Sequence, residues 1–106
     1  MIYVFDIDGT ICSDTKGNYK VATPIKDRIN RINQLYTQGH QIIIYTARGM
    51  GSSGNDIEIA KNKWEFTTKA QLKEWGVKHH LLFMGKPSGD LYVDDKAVGD
   101  KIFFND

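Results

Sequence analysis

Residues 2–10, Ile-Tyr-Val-Phe-Asp-Ile-Asp-Gly-Thr, join a short apolar run to an acidic turn. The run Ile2–Phe5 is continuous and rich in strand-forming residues, so it predicts a strand that is buried on both faces. Two carboxylates, Asp6 and Asp8, follow this run directly, and Gly9 then favours a turn. The stretch therefore predicts a buried strand that carries two acidic side chains at its carboxyl end.

Four further apolar runs and two helical patterns follow. Strands are predicted at Gln41–Tyr45, within the stretch Val77–Met84, and at Leu91–Val93 and Lys101–Phe104. Thr23 and Pro24 predict the start of a helix, with Thr23 as N-cap and Pro24 in the first helical position. An apolar stripe between Ile57 and Trp75 predicts a second helix.

The alternation of strands and helices predicts an α/β fold built on a mainly parallel, Rossmann-like sheet. We expect three layers, with helices on both faces of the sheet. The 106 residues suit one domain, residues 1–106, and leave no room for an inserted cap domain. In sheets of this kind, ligands bind beyond the carboxyl ends of the strands.

Composition argues against several classes of function. The formal net charge of +1 gives no global field that would hold a nucleic-acid backbone. Apolar runs such as Ile42–Ile44 are too short to span a membrane, so no membrane partner is expected. The first residues do not resemble a signal peptide. The lone Cys12 has no partner for an internal disulfide, which is typical of a reducing compartment and predicts a cytoplasmic protein.

Polar side chains follow four of the predicted strands at the point where each strand ends. These side chains belong to Asp6, Asp8, Thr46, Arg48, Lys86, Asp94 and Asp95. Crowded carboxylates repel one another unless a cation joins them, and oxygen ligands of this kind favour Mg²⁺. A carboxylate can also attack phosphorus, while a hydroxyl and an ammonium stabilise the phosphoryl oxygens. The set predicts a Mg²⁺-dependent site for a small phosphorylated substrate.

The same residues carry a resemblance to a known family. The stretch Asp6–Thr10 resembles DxDGT, the first signature of the haloacid dehalogenase (HAD) superfamily of phosphohydrolases. Thr46, Lys86 and the pair Asp94-Asp95 resemble its second, third and fourth motifs, in the same order along the chain. The resemblance spans nearly the whole chain and implies a capless HAD-type phosphatase, a hydrolase of phosphoric monoesters.

The resemblance also implies which residues hold the metal and perform the chemistry. Asp6 would be the nucleophile and a Mg²⁺ ligand. Asp8 would be the general acid for the leaving oxygen and then the base that activates water, with its main-chain carbonyl on the metal. Asp94 would be the third protein ligand, and Asp95 would act through a water on the metal or by orienting Lys86.

The substrate-binding set implied by the resemblance consists of Thr46, Ala47, Arg48 and Lys86. Thr46 and Lys86 would hold the phosphoryl group. Arg48 has two alternative roles, because an arginine in this position can contact substrate or pair with a helix acid.

Within the superfamily, the chain most resembles small capless phosphatases of capsule and surface-polysaccharide biosynthesis, which implies a phosphorylated sugar or polyol as substrate. Two alternatives are a polynucleotide 3′-phosphatase-like enzyme and a phosphoryl-accepting signalling module of receiver type. An open, capless site suits either a large substrate or a second subunit that covers it, so a homo-oligomer is one expectation.

Several other residues have predicted roles. The loops at residues 13–22 and 49–55 are expected to form the rim of the site. Trp64 and Trp75 fit the helix stripe and are predicted to be core residues. Cys12 lies near the predicted site, but no catalytic role is expected for it.

Overall fold

A computed structural model describes all 106 residues and contains one parallel sheet of three strands. The strands are β1 (Ile2–Phe5), β2 (Gln41–Thr46) and β3 (Leu81–Met84), in the spatial order β1-β2-β3. In the register, Phe5 lies opposite Ile44 and Met84 lies opposite Thr46. The carboxyl ends of all three strands therefore meet at one edge of the sheet, and the predicted parallel α/β architecture is confirmed.

Three α-helices and one 3₁₀ turn complete the chain. The helices are α1 (Lys26–Thr37), α2 (Ile57–Glu74) and α3 (Asp100–Phe104), and the 3₁₀ turn is Tyr19–Val21. The side chain of Asp56 caps α2 by accepting a hydrogen bond from the main-chain N–H of Ile59 at 3.2 Å. None of the helices has the length and apolar character that crossing a membrane would require.

The core lies on one face of the sheet. Phe5, Ile42 and Ile44 are buried there against Ile32 of α1 and Leu72 of α2. Residues of both connecting helices pack in this one core, so α1 and α2 lie on the same side of the sheet, as right-handed crossovers require for the strand order β1-β2-β3. The predicted helices on both faces are therefore wrong for this chain, which has two layers.

The opposite face of the sheet is apolar and exposed. Its exposed residues are Ile2, Val4, Leu81 and Phe83. Val4 keeps 58% of its surface accessible, so the prediction that Ile2–Phe5 is buried on both faces is also wrong. A continuous apolar run indicated a strand correctly but overestimated its burial.

The predicted fourth strand, Leu91–Val93, does not form, and the segment between β3 and α3 is irregular with local hydrogen bonds. The Tyr92 hydroxyl donates to the Pro87 carbonyl at 2.7 Å and accepts from the Gly89 N–H at 3.0 Å. The Asp94 carboxylate accepts from the Lys96 N–H at 2.9 Å. These bonds join residues only two to five positions apart, and Leu91 and Val93 stay exposed.

Two other predictions about the elements, the last strand and the start of the first helix, are also wrong. The predicted strand Lys101–Phe104 is the helix α3, whose Phe103 and Phe104 rings pack on Phe5 at 5.5 and 6.0 Å between centroids. Helix α1 begins at Lys26 and not at Pro24. The chain is still extended at Pro24, which forms a bridge with Cys12, and the Ile25 N–H donates to the Ile11 carbonyl.

A buried arginine connects α3 to α1 and to the acidic turn after β1. The Arg28 guanidinium donates to the carboxylates of Asp100 and Asp106, at 2.7 Å each, and to the Thr10 carbonyl at 2.9 Å. Its carbon Cζ also lies 4.8 Å from the centre of the Phe104 ring. These contacts fix the C-terminal helix against the segment that follows Asp6 and Asp8.

The contact between Arg28 and Asp100 makes folding stability depend on pH. The hydrogen bond and charge of Arg28 lower the pKa of Asp100. The stabilisation is therefore present above the unfolded-state pKa of about 3.9, and it is lost as the pH falls through the lower folded-state pKa. The Asp100 side chain is 36% exposed, so solvent weakens its interaction with Arg28. We therefore expect Asp100→Asn to lower the free energy of unfolding at pH 7 by only about 1 kcal/mol.

Urea unfolding of Asp100→Asn at pH 7 and at about pH 3 measures this effect. The difference from wild type should shrink at the lower pH. Asp90→Asn, a substitution in the exposed turn before Leu91, is the control and should leave stability unchanged at both pH values. A difference for Asp100→Asn that is equal at the two pH values would contradict the ionic origin of the effect.

Candidate active site

A cavity of about 610 Å³ opens at the carboxyl edge of the sheet. Each strand contributes a predicted site residue to its lining at the point where the strand ends. Asp6 follows β1, Ala47 and Arg48 follow β2, and Lys86 lies two residues beyond β3. The main-chain N–H of Lys86 donates to the Thr46 carbonyl at 3.1 Å, so the ends of β2 and β3 are held together.

Asp6 and Lys86 lie next to each other in this cavity. Lys86 Nζ is 3.6 Å from Asp6 Oδ1, and it also lies 4.4 Å from the centre of the Tyr92 ring. Burial raises the pKa of Asp6 above its ordinary value, while the Lys86 charge acts in the opposite direction. A third of the Asp6 side chain stays accessible, so a carboxylate and an ammonium are both presented to a ligand.

Asp8 is bound by Arg48 through two parallel hydrogen bonds. Arg48 Nε donates to Asp8 Oδ2 at 2.9 Å, and Arg48 Nη2 donates to Asp8 Oδ1 at 3.0 Å. The Arg48 side chain is fully buried, whereas the Asp8 side chain is 19% exposed. This two-pronged contact fixes the orientation of the Asp8 carboxylate at the wall of the cavity.

Helix α2 and the 3₁₀ turn hold Arg48 from the other side. Arg48 Nη1 donates to the Gln71 side-chain oxygen at 2.6 Å and to Thr68 Oγ1 at 3.2 Å. Its Cζ lies 4.9 Å from the centre of the Tyr19 ring. Arg48 was expected to contact substrate or a helix acid, but its guanidinium is committed to Asp8 and to two neutral side chains of α2.

The structure places Thr46 at the end of β2 but buries it completely. Its Oγ1 accepts a hydrogen bond from the Arg48 main-chain N–H at 3.2 Å, and Thr46 does not line the cavity. Of the predicted phosphoryl-holding pair, only Lys86 therefore reaches the cavity. Ala47, between Thr46 and Arg48, lines the cavity as predicted.

The predicted acidic pair Asp94 and Asp95 does not join Asp6 and Asp8. Both residues are exposed in the turns after β3, and no group of three His, Cys, Asp or Glu side chains is arranged to hold a metal. The hydrogen bond from the Lys96 main-chain N–H lowers the pKa of Asp94, and a smaller contribution from a hydrogen bond with the Asp95 side chain lowers it further. The reason for this placement is that Leu91–Val93 forms no strand that would carry the pair to the sheet edge.

A magnesium site with fewer protein ligands fits the residues present. Mg²⁺ is often held by one or two carboxylates while waters and substrate phosphate complete its coordination. Asp6 offers a partly exposed carboxylate for this purpose. The Asp8 side chain is occupied by Arg48, which leaves the Asp8 main-chain carbonyl as its predicted contribution.

Cys12 lies behind Asp8 and stays a thiol. Its Sγ is 3.6 Å from Asp8 Oδ1, and burial, reinforced by the charge of Asp8, raises the pKa of Cys12 to about 12. A thiol whose pKa is raised in this way is protonated at neutral pH and is a poor nucleophile.

Three aromatic residues line the cavity without having been predicted as site residues: Tyr19, Trp64 and Tyr92. The Tyr19 and Trp64 rings meet edge to face at 4.7 Å, and the Tyr19 hydroxyl accepts from the Gly49 N–H at 3.1 Å. Trp64 was predicted to be a core residue, but it is only half-buried and lines the cavity. Helical spacing alone does not distinguish a core face from a cavity wall.

Gly49 is the residue that allows Trp64 to pack this closely. A Cβ atom on Gly49 would lie 2.7 Å from Trp64 Cδ1 and 3.0 Å from Ala60 Cα, and its φ is +77°. Gly54, in the same loop, also has a positive φ (+68°), but no atom lies within 4 Å of its Cβ position. We expect Gly54→Ala to cost about 1 kcal/mol of stability and Gly49→Ala to cost about 1–3 kcal/mol more.

Thermal unfolding of the two alanine variants measures these costs. The loss of stability in Gly54→Ala gives the cost of a positive φ alone, and the additional loss in Gly49→Ala gives the cost of the contact between the new Cβ and Trp64. The same cost for both would mean that the Trp64 side chain moves away freely, and Gly49 would then have no packing role.

The chain shares its fold with proteins of known structure. No protein-family model and no curated protein matches the chain. A crystal structure of a structural-genomics target from Vibrio cholerae superposes with a TM-score of 0.89 and 24% identity, over 97% of this chain and 86% of that one. A chain of the Pnkp1/Rnl/Hen1 complex superposes with a TM-score of 0.59 and 17% identity, over 96% of this chain and 32% of that one. At these identities the likeness establishes a shared fold.

Proposed function

We propose that the chain is a Mg²⁺-dependent phosphomonoester hydrolase of the HAD type, with Asp6 as the nucleophile. The observation that carries the proposal is the contact between Asp6 and Lys86 at the carboxyl end of β1. Asp8, two residues after Asp6, is held in a fixed orientation by Arg48. A carboxylate next to an ammonium in an open cavity suits attack on a phosphoryl group, whose negative charge the ammonium then offsets.

The reaction has two steps in which bonds and protons balance. In the first, an Asp6 oxygen attacks phosphorus, the bond to the leaving oxygen breaks, and Asp8, which must be protonated at this point, supplies the proton to that oxygen. In the second, the Asp8 carboxylate left by the first step takes a proton from water as the water attacks phosphorus. The bond between phosphorus and Asp6 breaks, which releases phosphate and regenerates the Asp6 carboxylate and the protonated Asp8.

Each of the other residues has a defined part in these steps. Lys86 stabilises the charge on the phosphoryl oxygens throughout. Arg48 keeps the Asp8 carboxylate in place while it gives and takes the proton. Mg²⁺, when bound by Asp6 and the Asp8 main-chain carbonyl, would supply further neutralisation of the phosphoryl charge. Asp94 would join this set only if the turns of residues 87–96 rearranged.

The proposed substrate class is a phosphorylated sugar or polyol of surface-polysaccharide biosynthesis, on the strength of the sequence resemblance. The polynucleotide 3′-phosphatase alternative receives no support from the near-neutral net charge. The receiver-type alternative requires a long-lived phosphoryl group, and a proton-transferring Asp8 beside the nucleophile favours rapid hydrolysis instead.

Phosphate release from a panel of phosphoesters tests the proposal. The panel contains sugar phosphates, glycerol phosphate, nucleotides and 3′-phosphorylated oligonucleotides, each with Mg²⁺ and with EDTA. We expect release from at least one sugar or polyol phosphate, and EDTA should reduce it at least about 100-fold because the phosphoryl charge is then less well neutralised. Equal rates in Mg²⁺ and EDTA would contradict the metal dependence.

A negative panel has two distinguishable meanings. A stable phosphorylated protein formed from a small phosphoryl donor would support the receiver-type alternative. If no phosphate is released and the protein is not phosphorylated, the proposed function has no support.

A further inference from the structure

All charged residues that line the cavity form salt bridges with one another except one lysine. The cavity is lined by three acidic residues and four basic residues. Asp6 pairs with Lys86 at 3.6 Å, Asp8 pairs with Arg48 at 2.9 Å, and Asp14 pairs with Lys16 at 3.8 Å. The fourth basic residue, Lys63, makes no salt bridge. A cavity that already offers Asp6 and Lys86 for a phosphoryl group thus has a second, unneutralised positive charge.

Lys63 is exposed, and its ammonium lies over an aromatic ring. Its Nζ is above the Trp64 ring, 5.8 Å from the centre of that ring. The Trp64 ring is fixed by the edge-to-face contact with Tyr19 and by the close approach of Gly49 described above. A ligand ring that takes the place of the Lys63 ammonium over this indole packs on a surface that is already ordered, and the displaced ammonium stays within reach of the ring's substituents.

The size of the cavity also requires more than a phosphoryl group to fill it. Pockets of about 300–1,000 Å³ enclose most of the surface of a whole small molecule. At about 610 Å³, this cavity lies well within that range. The remainder of the substrate therefore has room in the same cavity, whose lining includes Trp64, Lys63 and Tyr19.

We propose that Lys63 and Trp64 form a second subsite that determines substrate specificity. The subsite holds a ring that bears a second anionic group, a carboxylate or a second phosphate, while the hydrolysed phosphoryl group lies at Asp6 and Lys86. The apolar face of the ring packs on Trp64, and the second anion pairs with the Lys63 ammonium. This inference rests on the proposed phosphohydrolase function, and it narrows the substrate class to doubly anionic ring compounds.

Three substrates test the subsite: glucose 1-phosphate, glucose 1,6-bisphosphate and glucuronic acid 1-phosphate. The first has one anionic group, and the other two add a phosphate or a carboxylate to the same ring. We expect kcat/KM to be at least tenfold higher for one or both doubly anionic substrates. The one that is preferred identifies the second anion.

Lys63→Gln should reduce this preference about tenfold, mainly through KM, because an ion pair to the second anion is lost. Trp64→Leu should lower kcat/KM for the ring substrates relative to the ring-free glycerol phosphate. The control is Lys61→Gln, an exposed lysine of the same helix that does not line the cavity, and it should keep the preference of the wild type. An unchanged preference in Lys63→Gln would overturn the subsite.

Binding measurements separate failure of the subsite from failure of the proposed function. Calorimetric titration of wild type and Lys63→Gln with glucose 1,6-bisphosphate needs no turnover. If no substrate is hydrolysed but the bisphosphate binds and Lys63→Gln weakens it about tenfold, the subsite stands and the hydrolase does not. If neither doubly anionic compound binds more tightly than glucose 1-phosphate, the subsite is wrong whatever the activity.

Discussion

Asp6→Asn is expected to abolish phosphate release, with a fall in kcat of at least about 1,000-fold, because an amide cannot form the covalent bond to phosphorus. The substitution keeps the shape of the side chain, so the loss is chemical and not structural. The melting temperature should be no lower than that of wild type. Burial raises the pKa of Asp6, which means that the ionised carboxylate costs the folded state free energy at neutral pH.

Asp14→Asn is the matched control for this prediction. Asp14 lines the same cavity, but it is an exposed residue paired only with Lys16 at 3.8 Å. We expect this variant to keep phosphate release within a few-fold of wild type. Near wild-type turnover by Asp6→Asn, measured after repeated purification, would rule out Asp6 as the nucleophile.

Arg48→Met is expected to lower both stability and turnover. The substitution removes both hydrogen bonds to Asp8 and leaves the oxygens of Gln71 and Thr68 without their donor. Because breaking a buried ion pair leaves its partner uncompensated, we expect a loss of about 2–4 kcal/mol in the free energy of unfolding. Turnover should fall at least about tenfold in protein that is still folded, since the Asp8 carboxylate is no longer oriented for proton transfer.

Two further variants separate the contributions to this effect. Arg48→Lys keeps the charge but not the planar fork, so it should recover part of the stability and little of the turnover. Arg31→Met changes an exposed arginine of α1 and should affect neither quantity. Urea unfolding and steady-state kinetics of the three proteins measure both effects. If Arg48→Met were as stable and as active as wild type, Arg48 would not be the residue that positions Asp8.

Local patterns predicted the parts of the fold that depend on local interactions. The bounds of β1 agree with the apolar run at Ile2–Phe5, and α2 begins at Ile57 as its stripe indicates. The carboxyl ends of β1, β2 and β3 meet at one edge because the strands are parallel, so Asp6 and Lys86 could be placed together from sequence.

Features that depend on distant contacts could not be predicted in the same way. The number of layers follows from the order of the strands in the sheet, which no residue pattern specifies. Leu91–Val93 looks like a strand, yet the hydroxyl of Tyr92 stabilises turns there instead. The ion pair between Arg48 and Asp8 joins residues 40 positions apart. Arg48 pairs with protein groups and not with substrate because its side chain is completely buried, which the sequence does not reveal.

The most direct test of the central claim is to locate the phosphoryl group on the protein. The Asp8→Asn variant is incubated with Mg²⁺ and acetyl phosphate, a donor whose leaving group departs without a proton, then quenched in acid, digested and mapped by mass spectrometry. With this donor the lost acid is not needed, and the intermediate should accumulate because the base that activates water is missing. We predict one phosphoryl group on the peptide that contains Asp6, removed by hydroxylamine and absent from the Asp6→Asn,Asp8→Asn protein. A phosphoryl group on any other residue, or continued hydrolysis with none on Asp6, would contradict the mechanism.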